Sequence, residues 1–128
     1  MLKQIFLINS DLKMDKGKIA VQVAHGEVIY LENIFYNHTR NLDPEYLRYI
    51  EWRQKEILPI GMMKKVVLKS TESEIRDIYI RLKSLNIWSY LIFDKGLTQI
   101  PENSLTCLVV EPLEESQCNT LFGNLKLL

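Results

Sequence analysis

The chain has little of what usually announces a function. Its 128 residues contain no apolar run of membrane-spanning length. The start, Met1-Leu2-Lys3-Gln4, leads into an apolar stretch too short for a secretory signal, so none is expected. There are two cysteines, Cys107 and Cys118, in neither a CxxC nor a zinc-type arrangement. Cys107 lies in an apolar run and reads as a buried free thiol. This suits a reducing compartment, and the expectation is a soluble, cytoplasmic protein. Two histidines, His25 and His38, make no HExxH or paired-ligand spacing, so no metal site is expected. The five glycines form neither GxGxxG nor a P-loop, and GxSxG is missing; no cofactor is expected. Sixteen basic and sixteen acidic residues give a formal net charge of zero. A nucleic-acid partner is therefore not signalled by bulk charge and has to be met by a local patch. Repeats, low-complexity segments and linkers are also missing, which leaves one domain, residues 1–128, with ordinary hydrophobic and charged content.

What is present is a regular alternation of strands and helices. Gln4 to Asn9 (QIFLIN) reads as a buried strand. After a loop from Asp11 to Lys16, residues from Gly17 to about Tyr36 carry apolar positions at helical spacing. Gly26 within that helix suggests close backbone packing. Asn37 to Leu42 is a polar connector. Asp43-Pro44-Glu45 is a strong helix start, and the pattern continues to Leu58, before Pro59 and Gly61. Lys64 to Lys69 (KKVVLK) is a second strand. Thr71-x-x-Glu74 is a capping box opening a third helix. Ile87 to Phe93 and Leu105 to Val110 are third and fourth strands, and a short helix spans roughly Leu113 to Leu121. Leu125 to Leu128 forms either a last edge strand or a tail. This order gives an α/β layered domain; the crossovers require parallel pairing, and the short Asp94–Ser104 connection allows an antiparallel pair, so the sheet is expected to be mixed, with about four strands.

Two segments carry candidate chemistry. In the first, Asp11 to His25, three lysines (Lys13, Lys16, Lys18) surround a helix start, and Lys18, Gln22 and His25 recur along one helical stripe. Free backbone N–H groups and the helix dipole already favour anions there, so added lysines suit a phosphate or a developing oxyanion. The same lysines also suit an ordinary solvated helix start, and the residues alone leave both readings open. In the second, Asp94 to Pro101 follows a buried strand, where ligands gather in open α/β sheets. Asp94, Thr98 and Gln99 supply a carboxylate, a hydroxyl and an amide, though an Asx-type turn would use the same aspartate. Thr106 fits ordinary strand propensity. His25 is more simply a structural helix residue than a general base. Trp52 and Trp88, among apolar neighbours, read as core.

Three segments taken together resemble a known family. They are Asp11-Leu12-Lys13-Met14 through Gly17-Lys18-Ile19-Ala20-Val21-Gln22-Val23-Ala24-His25, then Lys65-Val66-Val67-Leu68-Lys69, then Asp94-x-Gly96-Leu97-Thr98-Gln99-Ile100 with Thr106, Pro112 and Gly123-x-Leu125-Lys126-Leu127-Leu128. The pattern is similar to the archaeal and eukaryotic type of peptidyl-tRNA hydrolase over essentially the full chain. The resemblance implies a three-layer α/β/α domain, a homodimer, and hydrolysis of the ester joining a peptidyl group to the terminal ribose of tRNA. By matching position it implies a catalytic group of Lys18, Asp94, Thr98 and Thr106 with Gln22 beside it, and phosphate contacts at Lys13, Lys16 and Lys65. Lys18 would stabilise an oxyanion or orient water, and Asp94 would hold Lys18 charged or accept a proton. The chain departs from the pattern at Gly26-Glu27, Glu102-Asn103 and Glu111-Pro112, in a longer segment between Trp52 and Lys64, and in its neutral charge. Two other readings stand beside this one: a catalytically inactive module for protein interaction, and a hydrolase of a non-tRNA ester or amide. Retention of the whole polar set argues against the first, and competition by tRNA in a hydrolysis assay separates the second.

Overall fold

A computed structural model describes residues 1–37, 43–53, 63–96 and 100–128. The elements run β1 (Leu2–Asn9), α1 (Lys16–Asn37), α2 (Pro44–Arg53), β2 (Lys65–Ser70), α3 (Glu72–Ser84), β3 (Ser89–Asp94), β4 (Ser104–Val110), β5 (Leu113–Glu114), α4 (Glu115–Phe122) and β6 (Lys126–Leu127). The strand order is β3-β4-β1-β2-β6, with β5 paired to the start of β1. β1 and β2 are parallel; the β1–β4, β3–β4 and β2–β6 pairs are antiparallel. The mixed sheet follows the sequence reading, but it has six strands rather than about four. Of the two beyond four, β6 realises the edge-strand alternative for Leu125 to Leu128, and β5, two residues long, is too short to carry a period-2 pattern. β5 also takes Leu113 and Glu114 out of the expected last helix, which begins at Glu115. The expected continuation of α2 beyond Arg53 and the connector residues 38–42 lie outside the described residues.

The central strand explains the layering. In β1, Ile5 and Leu7 face one way and pack with Leu68, Ile75, Leu82 and Phe122, under α3 and α4. Phe6 and Ile8 face the other way and pack with Tyr30, Ile34, Tyr49 and Trp52, under α1 and α2. A strand covered on both faces needs no polar alternation, which is why Ile5 to Ile8 are continuously apolar. Gly26 sets how close α1 sits to the sheet. A Cβ there would lie 3.1 Å from Ile92 Cδ1 and Val109 Cβ and 3.3 Å from Phe6 Cε2. The Thr71–Glu74 capping box forms as expected and starts α3.

Candidate active site

β1 and β3 both pair antiparallel with β4, so they run in the same direction. Their carboxyl ends therefore share one rim of the sheet with the first residues of β4 and the N-terminus of α1. At this rim Asp15 caps α1, its Oδ1 accepting from the Lys18 backbone N–H at 2.9 Å. The cap orients the first turn so that the Lys18 side chain reaches the end of β3. Lys18 Nζ donates to Asp94 Oδ2 at 2.5 Å, and the two side chains are only 14% and 15% exposed. One turn further along α1, Gln22 Nε2 lies 3.5 Å from the same Oδ2. The Gly96 N–H donates to Asp94 Oδ1 at 3.3 Å.

Behind this pair lies a buried relay. The Thr106 hydroxyl donates to Gln22 Oε1 at 2.6 Å, with the Ile92 carbonyl at 3.2 Å as a second acceptor. A β-bulge makes the contact. Opposite consecutive residues Ile92 and Phe93 stand Cys107 and Leu105, so Thr106 is the extra residue of β4. In an unbroken strand Thr106 would face away from Cys107. The bulge instead turns it to the α1 side, toward Gln22. Gln22 and Thr106 are fully buried, and Thr106 is linked to Asp94 only through Gln22.

The electrostatics follow from these contacts. The hydrogen bond from Lys18 holds the Asp94 carboxyl below its usual 3.8; burial opposes it, and the Gly96 N–H and the charges of Lys18 and His25 add to the lowering. Asp94 is thus an ionised anchor at neutral pH. The loop after it is shaped by two left-handed residues. Gly96 has φ +72°, and a Cβ there would lie 2.5 Å from the Pro101–Glu102 peptide. Asn103 has φ +58°, the conformation that glycine would otherwise supply and that asparagine tolerates.

The structure brings Lys18, Gln22, Asp94 and Thr106 together. Thr98 lies outside the described residues. Lys13 and Lys16 are exposed at the α1 entrance beside this group. Lys65 is not there. It pairs with Gln4, five residues before Asn9 in the β1 register, and so stands at the opposite end of the sheet. Its ammonium is 3.4 Å from Glu27 Oε2 and 4.9 Å above the Trp52 ring. Sequence reading passed over Asn9 as the last residue of a strand. Its buried Nδ2 donates to the Leu105 carbonyl at 2.8 Å, directly before the bulge, and its Oδ1 accepts from Asp11 N at 2.9 Å. An amide closing an apolar strand was the available signal. Among the described residues no three His, Cys, Asp or Glu side chains form a metal-binding group.

A layered α/β domain with a lysine–carboxylate pair at the carboxyl rim of its sheet, beside a helix entrance, has the layout of an enzyme suited to stabilising developing negative charge. Residues 2–128 match the family model described as Peptidyl-tRNA hydrolase PTH2. The chain is 38% identical to a peptidyl-tRNA hydrolase of Thermococcus sibiricus over 125 residues, 98% of this chain and 96% of the relative. It is 34% identical over 128 residues to one from Saccharolobus solfataricus, and 32% identical over 127 residues to one from Methanothermobacter thermautotrophicus. The first match covers all of both chains; the second covers 99% of this chain and all of the relative. The chain belongs to the peptidyl-tRNA hydrolase PTH2 family.

Proposed function

We propose that this protein hydrolyses the ester of peptidyl-tRNA, releasing the peptide and free tRNA for recycling in translation. The observation that carries the reading is the Lys18–Asp94 contact at 2.5 Å, backed by Gln22 and Thr106, within a chain of this family. Water adds to the ester carbonyl, the bond from the acyl carbon to the ribose oxygen breaks, and the proton from water ends on that oxygen. An ester is already activated, so the enzyme has mainly to place the water and stabilise charge. Lys18 presents its ammonium, at a helix N-terminus, to the developing oxyanion. Asp94, ionised and held by Lys18, Gln22 and the Gly96 N–H, orients Lys18 and accepts a hydrogen bond from the attacking water. Gln22 and Thr106 are positioning residues. Thr98 enters the group by family resemblance, as a hydroxyl directed at the carbonyl or the water. Lys13 and Lys16 serve as phosphate contacts.

The proposal extends to a homodimer and a cytoplasmic location. Exposed apolar residues on α1, namely Val21, Val28 and Phe35, leave a stripe for a second copy to cover. Both cysteines are free, and no described helix is long and apolar enough to cross a membrane. Light scattering at micromolar concentration is expected to report a dimer; a monomer alone refutes that part. The activity is tested by turnover of peptidyl-tRNA and of a small N-blocked aminoacyl-tRNA, with Lys18→Ala as control. Release of tRNA by wild type and its loss in the variant are expected; equal release by both overturns the site.

A further inference from the structure

At the rim that holds Lys18 and Asp94, several acids are engaged, while Glu102 is exposed, and among the described residues no ion pair reaches several of the lysines. Asp11 Oδ2 accepts from the Glu72 N–H at 2.9 Å, Asp15 caps α1, Glu72 pairs with Arg76, and Asp94 holds Lys18. Lys69 and Lys126 are directly opposite each other in the antiparallel β2–β6 pair, and both are exposed. Lys69 alternates with Leu68, which packs under α3 and α4, so Lys69 emerges on the α1 face. Lys126, as its cross-strand partner, emerges on the same face. Among the described residues no ion pair reaches either ammonium. Two like charges facing each other across strands are destabilising unless a counter-charge lies between them.

We infer that the Lys69–Lys126 pair is a binding site for the phosphodiester backbone of the tRNA substrate, extending the contact surface of Lys13 and Lys16 away from the reacting ester. Lys69 is one residue before Ser70, which pairs with Asn9 at the carboxyl end of β1. β2 is three strands from β3 in the sheet order, so the pair stands about 14 Å or more from Asp94. That separation places it on the body of a polymeric substrate whose terminal ribose sits at Lys18. A recess of about 250 Å³ beside the pair is lined by Ser10, Ser70 and Asn124, which add polar groups suited to phosphate oxygens. Glu74 also lines it, with its carboxylate already accepting from the Thr71 backbone and hydroxyl. Such a surface would let a chain of zero net charge meet a polyanion: two cations face each other where, among the described residues, no ion pair reaches them, with the charge of Glu74 beside them as the opposing acid.

The inference rests on the hydrolase reading, and one experiment separates their failures. The Kd for deacylated tRNA is measured against salt for wild type, Lys69→Gln/Lys126→Gln, and Lys64→Gln as a control. Lys64 is engaged with Glu115 at 2.8 Å, at the other end of β2. The double variant is expected to weaken binding about five- to tenfold and to lower the slope of log K against log salt by about 1.5 units, as for two lost phosphate contacts. Lys64→Gln, which removes a charge elsewhere, is expected to leave the slope unchanged, and Lys69→Arg/Lys126→Arg to retain it. Hydrolysis of an N-blocked aminoacyl-adenosine, which has no phosphodiester, is expected to stay at the wild-type rate in the double variant, with an unchanged or raised Tm. An unchanged slope in the double variant, with wild type still cleaving peptidyl-tRNA, overturns the site and leaves the hydrolase reading intact. Wild type that neither binds tRNA nor cleaves peptidyl-tRNA overturns both.

Discussion

The two ends of the sheet each hold a carboxylate paired with a cation, and the pairs have opposite characters. At the carboxyl rim, the hydrogen bond from Lys18 outweighs burial and lowers the Asp94 pKa. At the far end, burial outweighs the partners and raises the pKa of both Glu111 and Glu27. Glu111 is buried and fully bonded: Oε1 accepts from Arg48 Nε at 2.8 Å, and Oε2 from the Trp88 N–H at 2.7 Å. That arrangement ties α2 to the start of β3 and is open to no ligand through its carboxylate. Asp94 is held as firmly, but on a pair that stays partly open to solvent, and its fixed charge is available to chemistry. The proposed function assigns the chemistry to the carboxylate held ionised by a partner at a strand end, and leaves the carboxylates held against their own desolvation to the fold.

Exchanging the two roles would break this comparison. Lys18→Ala and Asp94→Ala are each expected to lower kcat/KM on peptidyl-tRNA by about 10²-fold or more, the scale of losing an electrostatic or acid–base group. Their stability should also fall, by about 1–3 kcal/mol, since the side chains are only 14% and 15% exposed and each variant leaves the other charge without its partner. Parallel kinetics and denaturant titration decide it. Near-normal turnover in both variants would remove Asp94 and Lys18 from the chemistry.

The converse applies to Glu111. Glu111→Ala leaves the half-buried Trp88 N–H without its acceptor and Arg48 without its partner, and is expected to cost about 2–3 kcal/mol of stability. The kcat per folded molecule should not change. A large kcat loss at full stability would show that the far end communicates with the rim.

The relay behind Asp94 sharpens the contrast. Thr106→Val and Gln22→Leu are each expected to reduce kcat about tenfold with little change in KM, because both act on Asp94 and neither reaches substrate. The double variant should lose little more than either single one, as expected of residues in one hydrogen-bonded chain. Multiplied effects would place the two residues on separate routes.

The smallest effect is in pH dependence, and its sign differs between the ends. Asp94 has a lowered pKa, so its ion pair stabilises the fold above the ordinary carboxylate value and is lost as pH falls through the lowered value. The acid limb of kcat/KM should accordingly lie below 3.8, the usual aspartate value, where the enzyme stays folded long enough to measure it. Glu27 has a raised pKa, so the fold binds its proton more tightly than the unfolded chain does. Its contribution declines as pH rises from 4.5 through the raised value. Glu27→Gln should flatten that part of the stability curve and stay within about 1 kcal/mol of wild type at neutral pH. A curve unchanged by the substitution would mean that Lys65 neutralises the desolvation in full.

Much of this could be read from residues in order. The buried central strand, the α1 stripe, the Thr71–Glu74 cap and the close approach at Gly26 are local patterns with direct physical meaning, and all four appear in the fold. The candidate polar group was different: the residues alone left Lys18 suited to a solvated helix start and Asp94 to an Asx turn, family resemblance named the group, and the fold places Lys18, Gln22, Asp94 and Thr106 in contact. The placement of Lys65 could not be read this way. Its proximity in the sequence to an apolar strand says nothing about which end of the sheet it occupies, and that end is fixed by the parallel register with Gln4.

The sequence by itself determined the longer strands and helices, the two-sided burial of β1 and the chemical identity of the residues at helix and strand ends, because those depend on side-chain periodicity and local capping. Tertiary structure alone decided that Thr106 faces Gln22, since a bulge at one register position reverses the side to which the residue points. It decided that Asn9 anchors the start of β4, that Lys65 is spent on Glu27 and Trp52, and that Lys69 and Lys126 face each other across β2 and β6. Each of these depends on which strands become neighbours and in what register, a choice made by the packing of the whole sheet between its helices.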